Sequence, residues 1–144
     1  MTKQYELWID GQHTKPQSGQ YFDVLNPLDD SLYCKAAESN QADVNKAVDA
    51  AQACFKSYGK ALAKEREAML CKAADLLERD RDEFLELLID EVGSPMNKAQ
   101  FEVNQTIGQL RAAAGTARRI TGQTMPSDTP GRLSMSIRKP LGVV

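Results

Sequence analysis

Apolar residues recur at helical spacing through the middle of this chain, and short extended runs flank that region at both ends. Tyr5, Leu7 and Ile9 share one face of an extended segment, and Asp10-Gly11 supplies the positive φ angles of a two-residue hairpin turn. Ser18-Gly19 marks a second turn before the strand Tyr21-Phe-Asp-Val-Leu25. Asn26-Pro27 ends that strand, because a residue before proline favours extended backbone and a turn follows. Leu32 to Ala36 reads as a third strand. This N-terminal ribbon is expected to be antiparallel, peripheral and too small to stand alone.

Asn40 can cap a helix, and Asp43 three residues on completes a carboxylate version of the capping box. Val44, Ala47, Val48, Ala51, Cys54, Phe55 and Tyr58 then follow helical spacing up to Gly59, opposite a polar face of Asn45, Lys46, Asp49 and Gln52. That apolar face is predicted to enter a core. The pattern resumes from Ala63 with Met69, Leu70, Ala73, Leu76 and Leu77. It is interrupted by the charged run Glu78 to Glu83, and continues with Phe84, Leu85, Leu87, Leu88 and Val92. Asp80 with Glu83 can cap a fresh helix, so the interruption predicts a kink or two helices. Gly93 ends this stretch. Ser94-Pro95 then supplies an N-cap and a proline at the first helical position for a third helical stretch reaching Ile120. Its stripe is Val103, Ile107, Leu110, Ala114 and Ala117, and Arg118-Arg119 suits the negative end of the helix dipole.

Gly108, Gly115 and Gly122 recur every seven residues. Two fall inside the helix at a cost of about 1 kcal/mol each relative to alanine. Close approach of another element would offset that cost; chance placement on a marginal helix is the other reading. After a turn-rich segment (Pro126, Asp128, Pro130, Gly131), Leu133, Met135 and Ile137 alternate with polar residues as in a half-buried strand. Lys139-Pro-Leu-Gly-Val-Val144 reads as a bend into a second, fully apolar strand, interrupted at Val144.

This last stretch carries a resemblance. Gly122-Gln-Thr-Met-Pro-Ser-Asp followed by Arg138-Lys-Pro-Leu-Gly-Val-Val resembles the aldehyde dehydrogenase superfamily just before its Trp-Asn-Phe-Pro segment, which opens the nicotinamide cofactor site. Ile9-Asp-Gly-Gln, Asn26-Pro and Ala73-Ala-Asp-Leu-Leu-Glu-Arg agree in order upstream, so the likeness covers nearly the whole chain. It implies an α/β parent fold, the Rossmann-like cofactor domain, of which this segment is the mainly helical beginning with an N-terminal β-hairpin and a C-terminal strand. Residues 1–131 would be the outer part of that domain, and residues 132–144 the start of a β-arm through which members form homo-oligomers, dimers or tetramers. The implied activity is oxidation of a small-molecule aldehyde to a carboxylic acid with NAD or NADP, through a cysteine thioester. The superfamily also implies a monovalent cation held by backbone carbonyls, at Val24 and Glu91. One departure is Val92-Gly-Ser-Pro95, where members commonly have Asn-Gly-Lys-Pro. Two alternatives stay open: an acylating member that makes an acyl-CoA or reduces an acyl phosphate, and a self-contained helical module that binds a partner protein.

Composition narrows the chemistry within these residues. The chain has 144 residues and a formal charge of −2 from 18 basic and 20 acidic residues, interspersed, so it has no basic stripe for nucleic acid. Neither a membrane span nor a signal peptide is legible, and a cytoplasmic location is expected. Cys34, Cys54 and Cys71 form no Cys-x-x-Cys, lack the superfamily's Gly-Gln-x-Cys context, and are expected to be reduced, buried apolar residues. His13 has no second ligand in its polar segment, and reads as an exposed structural histidine. The signs in Glu78 to Glu83 alternate and are expected to pair along the helix. Trp8 reads as a packing aromatic. No glycine-rich strand-to-helix turn and no phosphate-binding Gly-Lys-Ser or Gly-Lys-Thr is present, so neither catalytic nor cofactor-binding residues are expected in this segment.

Overall fold

The computed structural model describes residues 3–144. In chain order the elements are β1 (Lys3–Tyr5), β2 (Leu7–Ile9), β3 (Gln12–Thr14), β4 (Tyr21–Leu25), β5 (Leu32–Ala37), α1 (Gln41–Tyr58), α2 (Ala63–Arg79), α3 (Arg81–Val92), α4 (Met96–Ala117), β6 (Thr124–Met125) and β7 (Ser134–Met135). The Asp10-Gly11 turn forms as expected, with φ of 54° and 72°, and joins β2 to β3.

The extended run from Tyr5 to Ile9 is split at Glu6. Its first half, β1, pairs in parallel with β5, and β4 pairs antiparallel on the other side of β5. The ribbon is therefore a mixed three-stranded sheet beside a separate hairpin, where an antiparallel ribbon was expected. Parallel pairing needs a long connection. The β2–β3 hairpin and β4 supply it by bringing the chain back to run β5 in the direction of β1.

The capping box of α1 forms in full. Asn40 Oδ1 accepts the N–H groups of Ala42 at 2.9 Å and Asp43 at 3.1 Å, and the Asp43 carboxylate accepts that of Asn40 at 3.1 Å. Asp43 does more, because both of its oxygens also accept the Gln17 N–H, at 3.1 and 3.2 Å. A buried carboxylate thus fastens the loop before β4 to the start of the helix. The predicted apolar face of α1 is not covered: Val44 and Val48 are each 48% exposed, and Cys54 lies open beside them. This helix meets β2 and little else.

Asp80, at φ −96° and ψ 20°, divides α2 from α3, so the charged run makes two helices. Asp80 does not cap the second one with its side chain. Its carboxylate instead takes the Arg79 guanidinium at 2.6 and 2.7 Å. Glu78 and Arg81 of this run, with Glu67 and Asp75 before it, reach across to α4, where along-helix pairing was expected. Arg111 meets Glu78 at 2.6 Å and Asp75 at 3.2 Å, Arg81 donates to Asn104 at 2.6 Å, and Arg118 pairs with Glu67. These exposed pairs set register more than stability, at about 0–1 kcal/mol each.

The core is the seam between α2 and α4. Ala74, Val103 and Ile107 are buried there, with Leu77, Leu85, Leu88 and Leu110 packed around them. The α4 stripe is the predicted one, extended by a fully buried Ala99. On α2 the buried face is turned by one residue, to Ala74 in place of Ala73, because Ala74 shares a helix face with Leu77, three residues on, which packs on the same cluster. Pro95 occupies the N-cap of α4 in place of Ser94, so the helix starts at Met96, one residue later than expected, and the buried Ser94 hydroxyl accepts the Lys98 ammonium at 3.1 Å. The helix ends at Ala117, three residues before Ile120.

Of the three spaced glycines, Gly108 and Gly115 face open space among the described residues. Gly122 alone shows close approach, since a Cβ there would lie 1.8 Å from the Ser136 carbonyl oxygen. The C-terminal strand is shorter than predicted: Ser134 and Met135 pair with β6, and residues 140–144 form no strand. An apolar strand needs a ladder partner, and none of the described residues supplies one to this run, where Leu141 is 97% exposed.

Replacing Asp43 with Ala strips acceptors from two backbone N–H groups, a loss worth about 1–3 kcal/mol. Hydrogen exchange read by NMR should show the Gln17 and Asn40 amides losing protection together. Unchanged protection at Gln17 would contradict the fastening role of this carboxylate.

Candidate functional site

A groove of about 560 Å³ lies between the mixed sheet and α3, with Tyr5, Val24, Tyr33 and Cys34 on one wall and Phe84, Leu87 and Glu91 on the other. Its end is set by two turns that meet. In the first, Asn26 accepts the Leu28 N–H through Oδ1 at 2.9 Å, donates its own N–H to Ser31 at 2.8 Å, and accepts the Asp30 N–H at 2.9 Å. In the second, Gly93 adopts φ 69° and closes α3: its N–H bonds the Ile89 carbonyl, and the next N–H, of Ser94, reaches back to Leu88. Pro27 rests on this glycine so closely that a Cβ would lie 2.9 Å from Pro27 Cγ. Gly93 is thus required twice, for its backbone conformation and for the proline above it.

Val24 and Glu91, the positions implied for a monovalent cation, line this same groove. Both lie where regular backbone bonding is interrupted. The β4–β5 register slips between Val24 and Leu25, so that Leu25 faces Leu32 and Tyr33 is passed over. The helical partner of the Glu91 carbonyl would be residue 95, a proline without an N–H. Carbonyl oxygens at such places retain acceptor capacity.

The groove is a poor setting for a nucleophile. Burial pushes the Cys34 thiol up, reinforced by Glu91 and partly offset by Lys3. Burial likewise raises the Tyr33 phenol, with Tyr5, Asp90, Cys34 and Glu91 adding in the same sense. Cys34 alone meets the expectation of a buried, inert thiol. Cys54 and Cys71 are exposed, because the helix faces that carry them have no cover among the described residues. Those residues contain no cluster of three or more His, Cys, Asp or Glu side chains able to hold a metal ion. Among the described residues no helix is long and apolar enough to cross a membrane.

His13 stands across the hairpin from Trp8, ring edge to face at 4.8 Å and 77°. Trp8 is 65% exposed, so among the described residues it is not a core aromatic. The meeting of Pro27 with Gly93 was not legible. Asn-Pro and Gly-Ser-Pro each announce a turn, but nothing in their spacing of more than sixty residues says that one rests on the other.

Comparison with known proteins decides the larger frame. The aldehyde dehydrogenase family model matches residues 13–144. The chain belongs to this family. A vanillin dehydrogenase from Pseudomonas fluorescens is 35% identical over 96% of the chain, and a salicylaldehyde dehydrogenase from Pseudomonas putida is 32% identical over 96%. The crystal structure of a salicylaldehyde dehydrogenase from Pseudomonas putida G7, complexed with salicylaldehyde, superposes with a TM-score of 0.94 at 31% identity over 97% of the chain. An NAD-dependent benzaldehyde dehydrogenase from Corynebacterium glutamicum superposes at 0.81 with 34% identity, over 88% of the chain. The chain spans 28% and 29% of the two curated relatives and 29% and 28% of the two solved chains. The Rossmann-like α/β parent fold is thereby established, with this segment as a mainly helical part that carries N-terminal strands.

A Gly93→Ala substitution forces a side chain into a left-handed conformation and against Pro27, at about 1–3 kcal/mol. Exchange of the Gly93 and Ser94 amides should accelerate about 5- to 30-fold or more. Exchange rates equal to the parent's would refute the close seating of Pro27 on this turn.

Proposed function

We propose that these residues form part of an NAD(P)-dependent enzyme that oxidises an aldehyde to a carboxylic acid through a cysteine thioester, the nucleophile lying outside this segment. The observation that carries the reading is the superposition of nearly the whole chain, at a TM-score of 0.94, on an enzyme solved with salicylaldehyde. Relatives named for vanillin, salicylaldehyde and benzaldehyde recommend an aromatic aldehyde as substrate class.

In the proposed reaction a thiolate adds to the aldehyde carbonyl, hydride leaves the resulting tetrahedral carbon, and water cleaves the thioester to release acid and thiol. The nicotinamide, when bound, accepts that hydride. The described residues contribute support. The α2–α4 seam holds the helical layer, and the groove at Val24 and Glu91 offers carbonyl oxygens to a monovalent cation, which would tie the sheet to α3. Residues 1–131 belong to the cofactor-binding domain in this reading. Residues 132–144 begin an arm for assembly into dimers or tetramers, consistent with the free edge that β7 presents opposite β6.

The test uses the complete protein that carries this segment. Vanillin or salicylaldehyde with NAD or NADP should give reduced cofactor and free acid in equal amounts, and the 144-residue chain alone should give neither. Product formation only when coenzyme A or phosphate is supplied would assign an acylating enzyme instead. No product from any aldehyde would overturn the reading.

A further inference from the structure

The β6–β7 ladder breaks at one pair of residues. Thr124 faces Met135 and Met125 faces Ser134, so the next pair towards the root of the hairpin is Gln123 with Ser136. A hydrogen-bonded antiparallel pair exchanges two N–H to carbonyl bonds. Here only one is of that kind. The Ser136 N–H donates to the Gln123 carbonyl at 2.8 Å, but the Gln123 N–H donates to Ser136 Oγ at 3.0 Å. The serine hydroxyl stands in for its own carbonyl.

That carbonyl packs against Gly122 instead. A Cβ at residue 122 would lie 1.8 Å from the Ser136 carbonyl oxygen and 2.8 Å from its carbon, backbone atoms that cannot swing aside as a side-chain tip can. Gly122 is not among the glycines with positive φ, so the demand for glycine here is one of space. Glycine admits the displaced carbonyl, and serine supplies the acceptor that the displacement removes.

The two residues sit where the hairpin leaves the helical layer, just beyond the end of α4 at Ala117. They join the entering and leaving segments, so they set the direction of the chain beyond them. Five residues of extended chain span about 17 Å, and a turn of about 10° at the root carries the far end about 3 Å. An interface packed as densely as a protein interior does not absorb such a shift.

We infer that Gly122 and Ser136 are positioning residues that fix the direction of this hairpin, and that association with further copies of the chain depends on them. The inference rests on the reading of residues 132–144 as the start of an arm for assembly. A protein whose binding-competent form is only partly populated binds more weakly by that fraction. Every protomer brings its own arm, so the penalty enters once per protomer. The core at Ala74, Val103 and Ile107 has no part in the clasp, which therefore acts on association more than on the protomer's own fold.

The complete protein, diluted through its dissociation range and followed by light scattering, tests this. Gly122→Ala should raise the dissociation constant about tenfold or more, because backbone must move to admit the methyl. Ser136→Ala should raise it about two- to tenfold, and Ser136→Thr, which keeps the hydroxyl, should restore the parent value. Ser136→Ala adds no atoms and serves if Gly122→Ala fails to fold. Hydrogen exchange read by mass spectrometry should quicken in the peptide containing Gly122 and Gln123 and stay unchanged in the one containing Gln17. Association of Gly122→Ala and Ser136→Ala equal to the parent's, Ser136→Thr as weak as Ser136→Ala, or exchange quickened at Gln17 as well would overturn the inference and leave the arm reading standing. A parent protein that is monomeric at every concentration would overturn the arm reading, and this inference with it.

Discussion

The seam where α2 lies on α4 holds this structure together. Ala74 has no exposed surface, and its small side chain admits Val103 and Ile107 to a contact that Leu77 and Leu110 extend. The other elements take their places from it. Asp80 lets α3 turn away from α2, Leu85 and Leu88 bring it back onto the same cluster, and the left-handed Gly93 returns the chain into α4. Pro27, just after β4, then rests on that turn, close in sequence to Val24 of the groove wall.

Away from this seam, apolar surface is left open on a scale that the described residues do not explain. The α1 face of Val44, Val48 and Cys54 is one such area, and Leu141 lies within another. Isolated exposed apolar residues are ordinary, but a whole helix face at regular spacing is a surface shaped for a partner. The chain spans 28% of the vanillin dehydrogenase, and in the proposed reading a further part of such an enzyme is the cover.

Local chemistry was legible wherever one residue type decides a backbone conformation. Asp10-Gly11, the Asn40–Asp43 capping box, the left-handed close of α3 at Gly93 and the α4 stripe all follow from side-chain reach or steric freedom within a few residues. What escaped depends on distant parts. Parallel pairing of β1 with β5 is set by the path of the chain between them, and Asp80 took Arg79 where a cap was available. The exposure of α1 could not be read from its periodicity, since spacing shows which face is apolar and not whether anything lies on it. At the groove, the resemblance placed Val24 and Glu91, but the contact of Pro27 with Gly93 that sets the end of the groove has no sequence signal.

The central claim is that the α1 face is a buried surface of a larger enzyme, and Cys54 is a probe already in place on it. Its alkylation by iodoacetamide should be followed by mass spectrometry in the 144-residue chain and in the complete protein under the same conditions. The account predicts rapid modification in the short chain, where Cys54 is exposed, and strong protection in the complete one. Equal rates in both would contradict it, because the α1 face would then be solvent-facing in the finished molecule and no further chain would rest upon it.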